Sequence, residues 1–450
     1  MTAPRKRVPN QPLSALIDEA GWTNGQLARA VNRLGSASGL DLSYGESTVS
    51  YWRSGTTPRP KVQPLVLEAL STALGRPVTS VAAGFSPSSA TASGERPENL
   101  VDLVRDDMDP SRRGVLAAGL YSATLAVPGF SELGDRLDRS RDDATAGRTV
   151  RIGPAEVATV RTMTTRIADI LDELGAGHAR PMAAAFLANT VMPWLTADAV
   201  STVKADMQAA ASDLVYLTGW MAMYERAHGL GQRYYVQALK LAGDAGDQLT
   251  YCRTLRGMAL QASNLGNGPK ALQFADSAAE AAPVAGPRLV AFLRGQQAHG
   301  AAMVGDQRTA FSRLAETEAA LSRADGRNDA VGGYDQAAYH FHVSHVLAAL
   351  SDLPGSIKAL QQSNRFRAAT ERQGRVHAQG LLATRQWQHG HIEAAAATWS
   401  RFLDDYETLS TARGDEHFGT LRRHIAARPD VQVVHQLTER VRKVAKAKAA

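Results

Sequence analysis

Four strings recur along the second half of the chain: LGNGPKALQFADSAAEAAP from Leu265, VGDQRTAFSRLAETEAAL from Val304, LSDLPGSIKALQQS from Leu350 and HGHIEAAAATWSRFL from His389. Each reads as a short turn followed by a helix. The helices open near Ala271, Ala310, Ile357 and Ala395, spaced 39, 47 and 38 residues apart. A unit of this size cannot bury its apolar face alone, so successive copies must stack on one another. The string LTGWMAMYERAHGLGQRYYVQALKLAGDAGD reads as a further pair upstream. Alanine is abundant and strand formers are sparse, which favours helix over sheet. The chain is therefore expected to be all-α.

Composition shifts divide the 450 residues. Residues 86–148 are rich in Ser, Pro and charge and read as a linker that holds one connecting apolar helix, GVLAAGLYSATLAVPGF. That leaves a bundle at 1–85, the repeat region at 149–439 and a basic tail at 440–450. The apolar run follows Arg112–Arg113 as an export signal would, but it is internal, too short to span a bilayer and carries Pro128. With one cysteine, Cys252, and no apolar run after the basic N-terminus, a cytoplasmic protein without membrane contact is expected. The net charge of +6 is uneven: residues 1–80 carry +4, 440–448 carry +5 and the rest −3. The excess at the two ends points to a polyanion there.

In the first 85 residues, Leu13, Leu16, Ile17 and Ala20 mark the inner face of one helix, ended by Gly21. Thr23 and Gln26 form a capping box, with Trp22 and Leu27 at staple spacing, and open a second helix ended by Gly35. Ser43 and Glu46 repeat the box for a third helix starting near Tyr44. Only Val49 and Trp52 face the core there, and Gly55 supplies a left-handed stop. Ser47, Ser50, Tyr51 and Ser54 then point outward, with Arg53 at the edge. A rigid TTPRPK loop leads to a fourth helix at Pro64–Leu74. A narrow apolar foot under a hydroxyl-rich face suits insertion into a DNA major groove. Arg53 and the loop residues Thr56, Thr57, Arg59 and Lys61 offer phosphate ligands.

This order of elements, with the string S-T-V-S-x-W-x-x-G-x-x-x-R-P, resembles the lambda-repressor/Cro-like (XRE) helix-turn-helix domain. The resemblance implies double-stranded DNA as partner, with Glu46, Ser47 and Tyr51 at base-reading positions and Asn24 at a phosphate position. The segment between the second and third helices is about 11 residues longer than is usual in this class, which changes how the third helix would enter a groove. Arg5, Lys6 and Arg7 form a candidate minor-groove arm or a solubilising tail.

The repeat ending at Pro283 resembles a tetratricopeptide (TPR) helix pair, with Leu255, Met258, Ala259, Ala262, Ala271, Ala275 and Ala278 at the close-packing positions. The other repeats are longer than a TPR, so the region is TPR-like. The run ASDLVYLTGWMAMYERAHGLGQRYY with LQASNLG further on is similar to a group of actinobacterial regulators that join one such helix-turn-helix to a TPR-like region. The resemblance implies an all-α fold, a helix-turn-helix bundle followed by a TPR-like α-solenoid of antiparallel helix pairs. It also implies transcriptional control, often of development or secondary metabolism. Trp220, Tyr224, Arg226, His228, Arg233, Tyr234 and Tyr235 concentrate aromatic and basic groups. They read either as inter-helix packing or as a pocket for a peptide or small-molecule effector. Symmetric homodimerisation through residues beyond 115 would double the DNA contact. No Walker loop, GxGxxG, HExxH or CxxC is present, so neither an enzyme nor a cofactor is expected. His340, His342 and His345 lack a matching carboxylate or cysteine and read as groove or packing residues ahead of a metal site. A protein-interaction adaptor using the bundle as a docking module is the alternative function.

Overall fold

The computed structural model describes residues 9–37, 42–59, 62–74, 78, 82–85, 99–108, 151–283, 286–324 and 334–449. The fold is all-α and solenoid-like, with no strand among the described residues. Two units divide it, Met1–Pro128 with Arg226–Arg233, and Gly129–Glu225 with Tyr234–Ala450. The expected apolar connecting helix, Arg5–Lys6–Arg7 and Lys61 lie outside the described residues.

In the first unit, helices α1 (Gln11–Glu19), α2 (Asn24–Ala37), α3 (Glu46–Arg53) and α4 (Gln63–Leu74) enclose a small core. Leu13, Ile17, Leu27, Val31, Val49, Trp52, Leu65 and Leu70 form its centre. A short helix α5 (Leu100–Met108) follows in the linker. Asn10 caps α1, its Oδ1 accepting from the Leu13 N–H at 3.0 Å. The first capping box is reciprocated: the Gln26 N–H donates to Thr23 Oγ1 at 3.2 Å, and the Thr23 N–H to Gln26 Oε1 at 2.7 Å. Gly21 and Gly55 are left-handed, at φ 64° and 102°.

Two local expectations fail. The second capping box does not form, because Gly45 is the N-cap of α3 and makes no side-chain cap. Tyr44 is instead held by Asn32, whose amide donates to the Tyr44 carbonyl at 2.8 Å while its Oδ1 accepts the Tyr44 N–H at 2.9 Å. The Tyr44 ring then packs edge-on to Trp52 at 5.3 Å, and α3 begins only at Glu46. Gly35 does not stop α2, which runs on to Ala37. It is buried because Leu42 crosses there: a Cβ at 35 would lie 2.5 Å from Leu42 Cδ1.

The second unit opens with α6 (Pro154–Leu174), α7 (Ala176–Phe186), a π-helical turn (Leu187–Val191) and the short α8 (Met192–Leu195). Helix pairs follow: α9 (Ser201–Tyr224) with the part of α10 (His228–Ala245) from Tyr234 on, α11 (Gln248–Asn264) with α12 (Gly268–Glu280), and α13 (Pro287–Met303) with α14 (Gln307–Leu321). The last three are α15 (Gln336–Ala349) with α16 (Leu353–Phe366), α17 (Arg372–Gln388) with α18 (Ile392–Tyr406), and α19 (Ala412–Ala427) with α20 (Gln432–Ala449). Four pairs share one turn. A left-handed residue (Gly266, Gly305, Ser351 or Gly390) precedes the N-cap (Asn267, Asp306, Asp352 or His391) of the second helix. Asn267, Asp306 and Asp352 accept a backbone N–H with their side chains. These caps start the second helices one turn earlier than the buried Ala271, Ala310, Ile357 and Ala395 suggested.

The expected basic tail is not free over residues 440–449. Residues 440–449 are the last turns of α20, whose Leu437, Val441 and Val444 pack into the core formed with α17, α18 and α19. The charge pattern hid the apolar stripe that docks it. Arg440 pairs with Asp404, and the Lys448 ammonium lies 4.1 Å over the Tyr406 ring.

This unit also closes on itself. The Ser410 N–H donates to the Leu174 carbonyl at 2.8 Å, and the Gly177 N–H donates to the Ser410 carbonyl at 3.0 Å. The Ala412 N–H donates to Glu225 Oε1 at 3.2 Å. Gly175, at φ 92°, permits the approach, since a Cβ there would lie 2.3 Å from the Ser410 oxygen. The last pairs of the array therefore rest on its first helices.

Candidate functional site

Two surfaces gather the chemistry. The first is the outer face of α3. Val49 and Trp52 are buried, while Glu46, Ser47, Ser50 and Tyr51 are exposed, Tyr51 at 59%. The Ser54 hydroxyl donates to the Tyr51 carbonyl at 2.9 Å, closing the helix end. The loop beyond is tied down: the Thr56 N–H donates to the Tyr51 carbonyl at 2.9 Å, and the Gln63 amide donates to the Pro58 carbonyl at 3.0 Å. Thr57 and Arg59 stand exposed on it. The Thr56 hydroxyl is buried with no protein partner among the described residues.

Arg53 and Asn24, both expected at phosphate, meet each other instead. The Arg53 guanidinium donates to Asn24 Oδ1 at 3.2 Å, to Ser14 Oγ at 3.3 Å and to Asp18 at 3.1 Å. Arg53 thereby clamps α1 and α2 to the end of α3. Arg59 has no such tie among the described residues.

The second surface is the inner face of the array, carried by the first helix of each pair. Residues at i, i+3, i+4 and i+7 share a helix face, so Phe292, Gln296 and His299 form one stripe of α13. On one side the Arg256 guanidinium of α11 lies 4.1 Å over Phe292 and 5.8 Å from the Trp220 ring of α9. On the other, Phe292 meets Tyr334 edge-on at 5.9 Å, and the Tyr334 hydroxyl lies 2.8 Å from His342 Nδ1. His299 and His345 rings stand 4.8 Å apart, and His377 Nδ1 lies 3.0 Å from His417 Nε2. Gly295 makes room for this packing, because a Cβ there would lie 2.4 Å from both His342 Nδ1 and the Tyr334 hydroxyl.

Burial pushes these imidazoles down: His299 to about 4, and His342, His345 and His377 well below the ordinary histidine range. The other groups that act on the four rings are further imidazoles and the cations Arg256, Arg367, Arg385 and Arg413, all of which push the same way. Arg385 is itself lowered to about 10 by burial, and its partners are the Ser344 and Ser356 hydroxyls and the Ser344 carbonyl. Gln296 is fully buried with neither amide atom partnered, and His299 Nδ1 and His345 Nε2 are likewise unpartnered, among the described residues.

The expected cluster from Trp220 to Tyr235 is dispersed. Trp220 and Tyr224 lie on the inner face, with Arg413 5.0 Å over Tyr224. Tyr234 and Tyr235 are core side chains at 0% exposure. Arg226, His228 and Arg233 belong to the first unit, and each is engaged by a neighbour. His340, the outlier of the histidine triplet, stacks on Phe366 at 5.6 Å. Among the described residues no group of three His, Cys, Asp or Glu could hold a metal ion.

The sequence reading missed Arg256, Gln296, His299, His377, Arg385 and Arg413. No repeat holds more than two of them, and only the stacking of repeats brings them together.

A family model described as the SP15 N-terminal domain matches residues 13–86. No curated protein matches the chain. No helix among the described residues is long and apolar enough to cross a membrane.

Proposed function

We propose that the chain is a sequence-specific, cytoplasmic DNA-binding transcriptional regulator. Its XRE-like N-terminal bundle reads duplex DNA, and its TPR-like array dimerises the protein and senses an effector. The observation that carries this reading is α3. A helix that buries only Val49 and Trp52 exposes Glu46, Ser47, Ser50 and Tyr51 in one row, beside an anchored loop that presents Thr57 and Arg59. Such a row can hydrogen-bond base edges while the loop grips the backbone. Because α3 is not capped by Glu46, that carboxylate is available to accept from a cytosine amino group.

The test is selection of bound sequences from random duplex DNA by the full chain, repeated with Ser47→Ala and Tyr51→Ala. The expected result is an inverted-repeat consensus whose preference relaxes at one or two positions per half-site in each variant. A protein that enriches no sequence, with affinity independent of salt, would remove the DNA reading and leave the adaptor role.

A further inference from the structure

The inner face of the array carries polar chemistry that the fold itself leaves unused. Gln296 has 0% exposure, yet neither its amide nitrogen nor its oxygen has a protein partner among the described residues. A buried polar group without a partner is costly, and an apolar residue of the same shape would serve packing better. One helical turn away, His299 is 6% exposed with Nδ1 also unpartnered, and His345, whose ring lies 4.8 Å from that of His299, has Nε2 unpartnered, among the described residues.

Two guanidinium groups there also lack a carboxylate among the described residues. Arg256 rests between Phe292 and Trp220 with no carboxylate partner among the described residues, and Arg385 has only hydroxyl and carbonyl partners. Elsewhere in the same unit arginines are neutralised: Arg253 by Asp213, Arg367 by Glu371 and Arg375 by Asp405. Uncompensated guanidinium beside aromatic faces is the chemistry that holds a planar acid, bidentate at the head and stacked along the body. Trp220, Arg256 and Arg385 are half-buried, whereas Gln296, His299 and His342 are buried.

We propose that this inner face binds a small organic anion, its acid group on Arg256 and its planar body against the Trp220 ring, with Gln296 completing its hydrogen bonds. This inference rests on the reading of the array as the sensing part of the protein, and it names the class of effector. A carboxylate or a phosphate would satisfy the same guanidinium.

The test uses the full chain and no DNA, so that its outcome is independent of operator binding. Benzoate and phenyl phosphate are titrated by calorimetry, with acetate and inorganic phosphate as headgroups without a ring. Saturable binding of at least one aromatic anion is expected, and the preferred one identifies the acid group. Arg256→Gln should weaken it at least tenfold. Gln296→Leu should weaken it similarly and, without ligand, should raise the melting temperature, because two unpartnered polar atoms are removed. Three results would each overturn the inference: no binding of either aromatic anion to the wild type, unchanged affinity in both variants, or a lowered melting temperature of ligand-free Gln296→Leu. The last would show that Gln296 serves the fold. A separate titration of duplex DNA onto the same proteins reports on the regulator reading alone.

Discussion

At the residue scale, two arginines close together in sequence have opposite circumstances. Arg53 is spent inside the bundle, on Ser14, Asn24 and Asp18. Asp18 is 63% exposed in its side chain, so the ion pair adds little and the hydrogen bonds to Ser14 and Asn24 matter more. Arg53→Ala should cost about 1–2 kcal/mol of bundle stability, read by urea unfolding of the full chain. Arg59 is exposed on a loop whose backbone is pinned by Val62 and Gln63, which donate to the Arg59 carbonyl at 2.8 and 3.1 Å. Arg59→Ala should leave stability unchanged, and on the proposed DNA reading it should lower the salt slope of binding by about one. A destabilised Arg59→Ala, or a stable Arg53→Ala, would reverse these roles. The sequence put both at phosphate because spacing reports the side of a helix. It does not report which neighbour reaches the guanidinium first.

At the element scale, the repeated turn has a built-in comparison. Gly266, Gly305 and Gly390 take the left-handed conformation before the second helix of their pairs, and Ser351 takes it at φ 67°. A side chain there is strained relative to glycine. Ser351→Gly should therefore stabilise the array by about 0.5–1 kcal/mol, despite the greater chain entropy of glycine when unfolded. An unchanged or lowered midpoint in urea would show that the serine side chain contributes something its backbone strain conceals. Close helix approach makes the opposite demand at Gly300, where a Cβ would lie 2.8 Å from Leu272 Cα. Backbone cannot move aside as a side-chain tip can, so Gly300→Ala should cost about 1–3 kcal/mol on the same assay. The turns were legible in the sequence because glycine followed by a capping residue is a local signal. The need for Gly300 was not, because Leu272 belongs to another helix.

At the scale of the whole molecule, the buried histidines set an acid limit. His299 titrates near 4 in the folded protein against about 6.5 when unfolded, and His342, His345 and His377 are shifted the same way by burial. The unfolded chain then binds protons that the folded one refuses. The stability these groups give is complete above about pH 6.5 and falls as pH drops towards 4, by up to about 1.4 kcal/mol per pH unit for His299 alone. Asp172 acts oppositely: burial raises it to about 6, so its contribution is present below its unfolded value of 3.8 and is lost as pH rises through 6. The histidines outnumber it. The melting temperature should fall steeply between pH 6.5 and 4, and His299→Gln should flatten that slope. A melting temperature level across this window would mean that the imidazoles are solvated and titrate normally.

The sequence by itself determined the local grammar: an all-α chain, the bundle core with Val49 and Trp52 as the foot of α3, the first capping box, and the helix pairs with their turns. Those features depend on residues within a turn or two of one another, where propensity, capping and periodicity act. Tertiary structure decided the rest. Asn32 holds Tyr44 from 12 residues away and so cancels the second capping box. Leu42 keeps Gly35 small. Helix α20 folds the terminal basic stretch onto the array. Ser410 closes the array on Leu174 and Gly177. Above all, the inner face exists only because a few residues from each repeat converge. Burial and electrostatic fields belong to that convergence, so no single repeat carries the signal.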